Sequence, residues 1–412
     1  MIPEHVRFYP YFLSRESLGQ DHSQAFPSLT DHITADLCII GGGIAGLLSA
    51  YWLAELGVQV VLLERGILGH GATGRNTGFI LTGTAEHFSR LAGLVGKDKA
   101  IRLWNFTARN HDLLEEVITT EHIECDHERC GSLILAMSEA ESQELATTYQ
   151  MLAEIGLDCT WIATEDVKDL LGEPIGHGAV RMNRDGALHP IKFVSCLATL
   201  MKKQAVAMYE ETCVSLIQSH PHSNDIRVHT PDGYVDCALA LLTTNAHIRE
   251  LLPDYQDIVF PVRGQAFATE PFQKRMFREV IYANFGYEYW RQLPDGRLII
   301  GGFREQAKEQ ELTDSEDLNV DLFHGLHNYF ADLFPPLKEC KVTHTWSGTM
   351  GFSQDGLPLL GSSRSLPHLY LMGGFTGHGL GFVALLSQMA AQLMVNGEAE
   401  DGDLFHTRRF RT

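Results

Sequence analysis

Along the first part of the chain, unbroken apolar runs alternate with apolar residues at helical spacing. Ala35–Ile40 reads as a short buried strand, and Gly41–Gly46 interrupts it as a glycine turn. Apolar residues at 44, 47, 48, 51 and 52 then predict a helix from Ile44 to Leu56, which Gly57 ends. Val58–Leu63 is a second apolar strand and closes a βαβ unit at Glu64. No charged residue falls between Leu37 and Ala54, a length near the lower limit for a membrane helix. The four glycines and the change of period inside it predict strand, turn and helix instead of a membrane span.

Residues 66–84 form a long loop rich in glycine, Thr and Asn, and compact domains keep such loops for function. Helices are expected over 98–120 and 138–155, with a strand at Gly131–Ala136 between them. A helix over Ile191–Ala205 precedes strands at 212–218, 225–229 and Ala238–Thr243. From 258 the pattern turns to β, with strands Val259–Thr269, Ile281–Phe285, Tyr287–Leu293 and Arg297–Phe303. Pro294-Asp295-Gly296 makes the turn between the last two. Alternation puts Phe285, Tyr287 and Tyr289 on one face. A helix over 318–334, a strand Leu369–Met372, a glycine-rich turn at 373–381 and a helix through about 395 complete the chain.

With 412 residues, two domains sharing an interface are expected. The 52 acidic and 32 basic residues give a net charge of −20, and no basic stripe offers nucleic acid a footprint. The acidic balance mildly favours a cationic substrate, although acidic surfaces also serve solubility. Eight cysteines without a regular framework, and an N-terminus without a basic-then-apolar leader, fit a cytoplasmic protein with reduced thiols. His122, Cys125, His127 and Cys130 mimic half a metal site. So few consecutive residues wrap one ion poorly, and no metal is expected.

Gly41-Gly42-Gly43-Ile44-Ala45-Gly46 matches G-x-G-x-x-G in its proper setting: a strand before it, a helix after it, and an acid, Glu64, 18 positions beyond Gly46. Gly41 permits the tight turn, Gly43 lets a diphosphate approach the backbone, and Gly46 lets helix and strand pack closely. The N–H groups of Ile44 and Ala45 face that diphosphate at the helix N-terminus. Glu64, followed by Arg65, can accept ribose hydroxyls, and its charge disfavours a 2′-phosphate.

Further motifs follow in order. They are Gly71-Ala72-Thr73-Gly74-Arg75-Asn76-Thr77-Gly78, Thr244-Asn245-Ala246, Trp346-Ser347-Gly348 with Asp355-Gly356-Leu357-Pro358, and Gly373-Gly374-Phe375-Thr376-Gly377-His378-Gly379. On these residues the chain, from about 35 to 395, resembles the FAD-dependent D-amino acid oxidase and sarcosine oxidase family. Its first loop reads Gly-Arg-Asn, as in the gamma-glutamylputrescine oxidase type. The resemblance implies an α/β fold of glutathione-reductase type, with a Rossmann-like FAD-binding domain interleaved with an antiparallel-sheet substrate domain. An N-terminal arm (1–34), an FAD-binding domain (35–95, 165–250 and 345–412) and a substrate domain (96–164 and 251–344) are expected. Val214 falls where the family contacts adenine through its backbone. The 373–379 turn would hold negative charge at the flavin N1 and C2 carbonyl. The family's attachment cysteine is replaced by Gly348 and its attachment histidine by Arg75, so the FAD is expected to be non-covalent.

The resemblance further implies oxidation of a small amine: a hydride leaves the carbon beside the nitrogen, water hydrolyses the imine, and oxygen or another acceptor takes the electrons. Tyr289 and Arg304 match a substrate-contacting tyrosine and a lysine that helps oxygen react. Arg304 read alone could equally salt-bridge Glu305. Met350 stands where amino acid oxidases carry a carboxylate-binding Arg. An amine or N-substituted amine, polyamine-like in character, is therefore favoured, unless Arg291 or Arg263 supplies the clamp for an α-amino acid. The remaining alternative is a flavin-holding protein without turnover. His378 is expected to act through its backbone, with a ring that could still reach the flavin.

Overall fold

A computed structural model describes residues 2–18, 25–220 and 225–410; residues 1 and 19–24 of the arm, and 411–412, lie outside it. Two large sheets organise these residues. In the first, the strands Tyr234–Leu242, His32–Ile40, Val60–Leu63 and Ala207–Tyr209 run parallel in that order, and Leu369–Gly373 joins alongside Tyr234–Leu242. Every residue of Val60–Leu63 is buried, as expected of a strand covered on both faces. Leu37, Ile39, Val60 and Leu62 point to a layer of helices, Ile44–Glu55, Pro190–Lys203 and Gly379–Asn396. Their alternates Cys38, Ile40, Val61 and Leu63 pack against Ile217, Ile226, Ile248 and Tyr255 on the opposite side. The uncharged stretch from Leu37 to Ala54 is thus strand, turn and core helix. The helix Gly379–Asn396 is long and apolar enough to cross a membrane, but here it lies mostly buried in the core. Asn110, fully buried on the helix Lys97–Thr120, donates to Leu380 O at 2.9 Å and accepts from Ala384 N, tying the two helices together.

The second sheet has nine strands and is mostly antiparallel. Its centre pairs Val259–Thr269 with Val342–Ser353, then Leu298–Gly302, Glu288–Gln292 and Val280–Ala283 in turn. Phe267, Ile281, Trp290 and Ile300 bury one face against Phe323, Leu326 and Phe330 of the helix Val320–Leu333. The other face turns toward the first sheet. There the sequence places Gly264 and Gly301 beside the large side chains of Tyr289 and Met350, and Gly348 beside Arg75. The ring of Tyr289 lies so close over Gly301 that a Cβ there would come within 2.3 Å of it.

Three expectations change. The motif Trp346-Ser347-Gly348 belongs to a twelve-residue strand, Val342–Ser353, so the expected division at 344/345 falls inside one strand, as 34/35 falls inside His32–Ile40. Ala179–Met182 pairs within the nine-stranded sheet. The alternation of 285, 287 and 289 is broken: Asn284, Phe285 and Gly286 form a turn with φ of 48°, 53° and 78° between the strands Val280–Ala283 and Glu288–Gln292. Asn and Gly favour left-handed backbone, and closure of the short connection carries Phe285 into it.

Candidate active site

The glycine turn sits at the carboxyl end of the first sheet. Gly41 adopts φ +111°, and Thr243 donates its hydroxyl to Ile40 O and Gly41 O, both at 3.0 Å. The following helix rests so closely on the turn that a Cβ on Gly46 would lie 2.0 Å from Gly41 O. Thr73, from the first loop, accepts from Ile44 N at 3.1 Å. Glu64 lines the cleft and accepts from Gly42 N at 2.7 Å and from Gly66 N at 2.8 Å, which leaves each carboxylate oxygen a further lone pair.

The first loop is folded tightly. Ala72–Arg75 make one helical turn, and Asn76 closes it by accepting from Gly78 N and donating to Thr73 O. Arg75 donates to Ser347 O at 2.9 Å and pairs with Glu316 at 2.7 Å. Its side chain passes over Gly348, where a Cβ would come within 2.8 Å. The position of the missing attachment cysteine is therefore filled by an arginine stem.

The second corner closes from the far side. Asn245 accepts from Gly374 N at 3.0 Å, Thr376 N donates to Gly351 O at 2.8 Å, and the Thr376 hydroxyl accepts from Ser353 N. Asp355 stands behind this corner, held by Arg409 at 2.7 Å and by Leu357 N.

One cleft of about 670 Å³ joins the two corners. Gly41, Gly43, Ile44 and Ala45 line it from the glycine turn, Glu64 and Arg65 from the second strand, and Val214 from the segment beside them. Gly71, Ala72, Thr73, Arg75 and Asn76 line it from the first loop, Asn245 and Gly348 from its wall, and Phe375, Thr376, Gly377, His378 and Gly379 from the far corner. Gly46, Gly74 and Gly374 stand behind the lining: Gly74 packs on Leu13 and Gly69 O, and Gly374 on Leu359.

The donor set fits an FAD. The Ala45 amide at the helix N-terminus, beside the Thr73 hydroxyl that takes Ile44 N, suits a diphosphate, Glu64 suits a ribose, and the buried Thr244 hydroxyl lines the cleft without a partner among the described residues. The volume lies within the range of about 300–1,000 Å³ usual for cofactor clefts.

Tyr289, Met350 and Arg304 meet beside the second corner. Burial pushes the Tyr289 hydroxyl up to about 12, with nearby Arg304 opposing. Arg304 does not pair with Glu305, which instead accepts from Asn284. It stacks on Tyr287 and Phe352, with its guanidinium 4.5 and 5.1 Å from the ring centres. The other two candidate cations are not brought to the cleft. Arg291 shares the face of Tyr289 but sits roughly 7 Å further along the strand. There it donates to Thr77 O and Leu188 O at 3.1 and 3.0 Å, and burial lowers its pKa to about 10. Arg263 is committed to Glu311 at 2.7 and 2.9 Å. Arg291→Met is expected to lower stability by about 1–3 kcal/mol, because two buried carbonyls lose their donor. Thermal unfolding checks this, and substrate preference should stay unchanged.

Tyr282 was not among the expected residues. It lies opposite Tyr289 across the strand pair, lines the cleft, and shares a 3.2 Å hydrogen bond with His378 Nε2. The pairing of Val280–Ala283 with Glu288–Gln292 would have found it. Asn110 carries no such signal, whereas Thr244 opens the Thr244-Asn245-Ala246 motif. Among the described residues no three metal-binding side chains gather; His127 bonds to His111 instead.

The Haemophilus influenzae protein named probable oxidoreductase OrdL is 29% identical over 96% of this chain and 89% of its own length. The Escherichia coli gamma-glutamylputrescine oxidoreductase is 28% identical, over 92% and 88%. Among solved structures, the L-proline dehydrogenase of P. horikoshii superposes with a TM-score of 0.78 at 20% identity, covering 94% of this chain and 98% of that one. The glycine oxidase of Geobacillus kaustophilus gives 0.76 at 21%, covering 89% and 96%. At such identities these two likenesses establish the fold alone. Residues 36–393 match the FAD dependent oxidoreductase family, and with the cleft described above, the chain belongs to that family.

Proposed function

We propose that the chain holds FAD without a covalent bond and oxidises a small primary or secondary amine to an imine, which water then hydrolyses. The observation that carries this reading is the single cleft shared by the glycine turn and the 373–379 corner, with Tyr289, Met350 and Arg304 at the second corner. Bound FAD would accept the hydride from the carbon beside the nitrogen. The chain's own part is positional. Helix amides and Glu64 hold the nucleotide half, Arg75 and the loop around it hold the middle, and the second corner offers amides and a helix N-terminus to negative charge. Met350 and Tyr289 line the end where the amine enters. Arg304, a cation without a carboxylate partner among the described residues, stands ready to stabilise anionic oxygen species as electrons pass to oxygen. Another acceptor remains compatible with the same arrangement. The cysteines form no disulfide, which supports a reducing, cytoplasmic compartment.

Gly348 under Arg75 leaves no nucleophile at the usual attachment position. Denaturation in acid is expected to release all flavin into the supernatant; flavin retained on the precipitated chain contradicts the non-covalent reading.

A second reading is favoured by Arg304 itself: an amine that also carries a carboxylate, clamped by Arg304 in place of the absent arginine at 350. Anaerobic bleaching of the holoprotein with matched amines, with and without a remote carboxylate, tests both. Bleaching by plain amines supports the first reading, and bleaching confined to carboxylated amines supports the second. No bleaching by either removes both readings and leaves a flavin-holding protein.

A further inference from the structure

We propose that Tyr282 is the acceptor for the substrate's amine N–H, held in that role by His378. The assignment rests on the amine-oxidation reading above. It follows from a chain of hydrogen bonds whose direction is fixed. His378 Nδ1 lies 3.1 Å from Thr376 O, and a carbonyl can only accept, so Nδ1 carries the ring proton. Burial and the nearby Arg304 hold His378 below its ordinary value, so the ring stays neutral and Nε2 is an acceptor. Tyr282 Oη, 3.2 Å away, must then donate to Nε2. Burial also raises the Tyr282 pKa, so the hydroxyl keeps its proton. That single proton is committed to His378, and toward the cleft the oxygen presents lone pairs only.

The ring has no freedom to turn away. It lies so close over Gly286 that a Cβ there would meet Oη and Cζ at 1.8 Å, and it stands edge-on to His378 with centroids 5.6 Å apart. The charged groups bearing on the pair are Arg304, which acts on both, and Glu86, which acts on Tyr282; Tyr287 and Tyr289 are neutral neighbours. The cleft-lining acids are engaged elsewhere. Glu64 serves the Gly42 and Gly66 amides, Glu250 pairs with His247 and Arg65, and Glu316 pairs with Arg75. A site with a cation and an oriented lone pair, and no free carboxylate among the described residues, takes the amine as its neutral base. The N–H points at Tyr282 Oη, and the nitrogen lone pair stays free to assist loss of the hydride from the adjacent carbon. Two consequences follow: the substrate must carry an N–H, which excludes tertiary amines, and kcat/KM rises with pH through the amine's own pKa.

The test uses the FAD-loaded protein without oxygen and two amines: tert-butylamine, which has no hydrogen on the carbon beside its nitrogen, and its N,N-dimethyl counterpart, whose N-methyl hydrogens remain, so that its binding is read at once after mixing, before any bleaching. Binding is read from the flavin absorbance above the pKa of both. The wild type is expected to bind the N–H amine about tenfold tighter. Tyr282→Phe should erase that advantage while FAD affinity stays unchanged. Gly286→Ala, which crowds the ring off His378 without removing the hydroxyl, should do the same. In 15N spectra of ring-labelled histidine, His378 should show the Nδ1–H tautomer. Equal binding of the tertiary amine, a preference that survives Tyr282→Phe, or an Nε2–H tautomer would each overturn the assignment. If amines bleach the wild type while Tyr282→Phe changes nothing, only the role of Tyr282 falls. If no amine binds or bleaches, the amine reading falls and takes this assignment with it.

Discussion

Gly43→Val is expected to yield a folded chain that binds no measurable FAD. Gly43 has ordinary extended backbone, φ −79° and ψ −176°, so a side chain brings no strain there. Its Cβ would point at Thr73 Oγ1, 3.0 Å away, across the gap between the helix N-terminus and the first loop. An isopropyl group fills the space a diphosphate needs and pushes Thr73 off Ile44 N. Overpacking of this kind costs about 1–3 kcal/mol where it can be relieved, and a displaced phosphate loses its helix amides as well. We expect at least a roughly 100-fold loss of FAD affinity with an unchanged far-UV spectrum. Equilibrium titration of the apoprotein measures it. Normal flavin content in this variant would remove the diphosphate from the glycine turn. Gly46→Val makes a useful contrast: its Cβ would meet backbone oxygen, and the expected loss is of fold rather than of binding alone.

Arg304→Met is expected to slow reoxidation of the reduced protein by oxygen about 100-fold, the scale seen when one charge-stabilising donor is removed. Anaerobic reduction by plain amines should change little. Methionine keeps the stem against Tyr287 and Phe352 while deleting the charge. Rapid mixing of the two half-reactions separates the possibilities. If Arg304 instead clamps a substrate carboxylate, the loss falls on KM for carboxylated amines and reoxidation is untouched. The charge lowers the pKa of Tyr282, Tyr289 and His378 alike, so all three should rise when it is removed. His378, held down partly by Arg304, should titrate higher in the variant.

The cofactor half of this site was legible because its physics is local. A turn that needs φ near +111° at Gly41, a helix that must touch Gly41 O, and an acid at the end of the next strand lie within one βαβ unit. Spacing alone exposes them. The wall of the second corner was not legible in that way. Tyr289 shares its strand face with Arg291, yet one reaches the cleft and the other is capped by Thr77 O and Leu188 O from distant segments. No local pattern distinguishes two residues of one alternation. Arg263 looked free in sequence and is neutralised by Glu311, 48 positions away. Tyr282 went unnoticed because its importance comes from His378, 96 positions on. The break at Asn284–Gly286 shows the same limit, since alternation reads strands and cannot see where a turn must close.

The most direct test of the whole account is titration of the apoprotein with FAD and with FMN. A cleft running unbroken from the glycine turn past Glu64 and Val214 to the 373–379 corner requires a dinucleotide. The expected result is one FAD per chain, bound at least about 100-fold tighter than FMN, because FMN forfeits every contact on the adenosine side. Equal affinity for the two flavins, or no flavin binding at all, would contradict it.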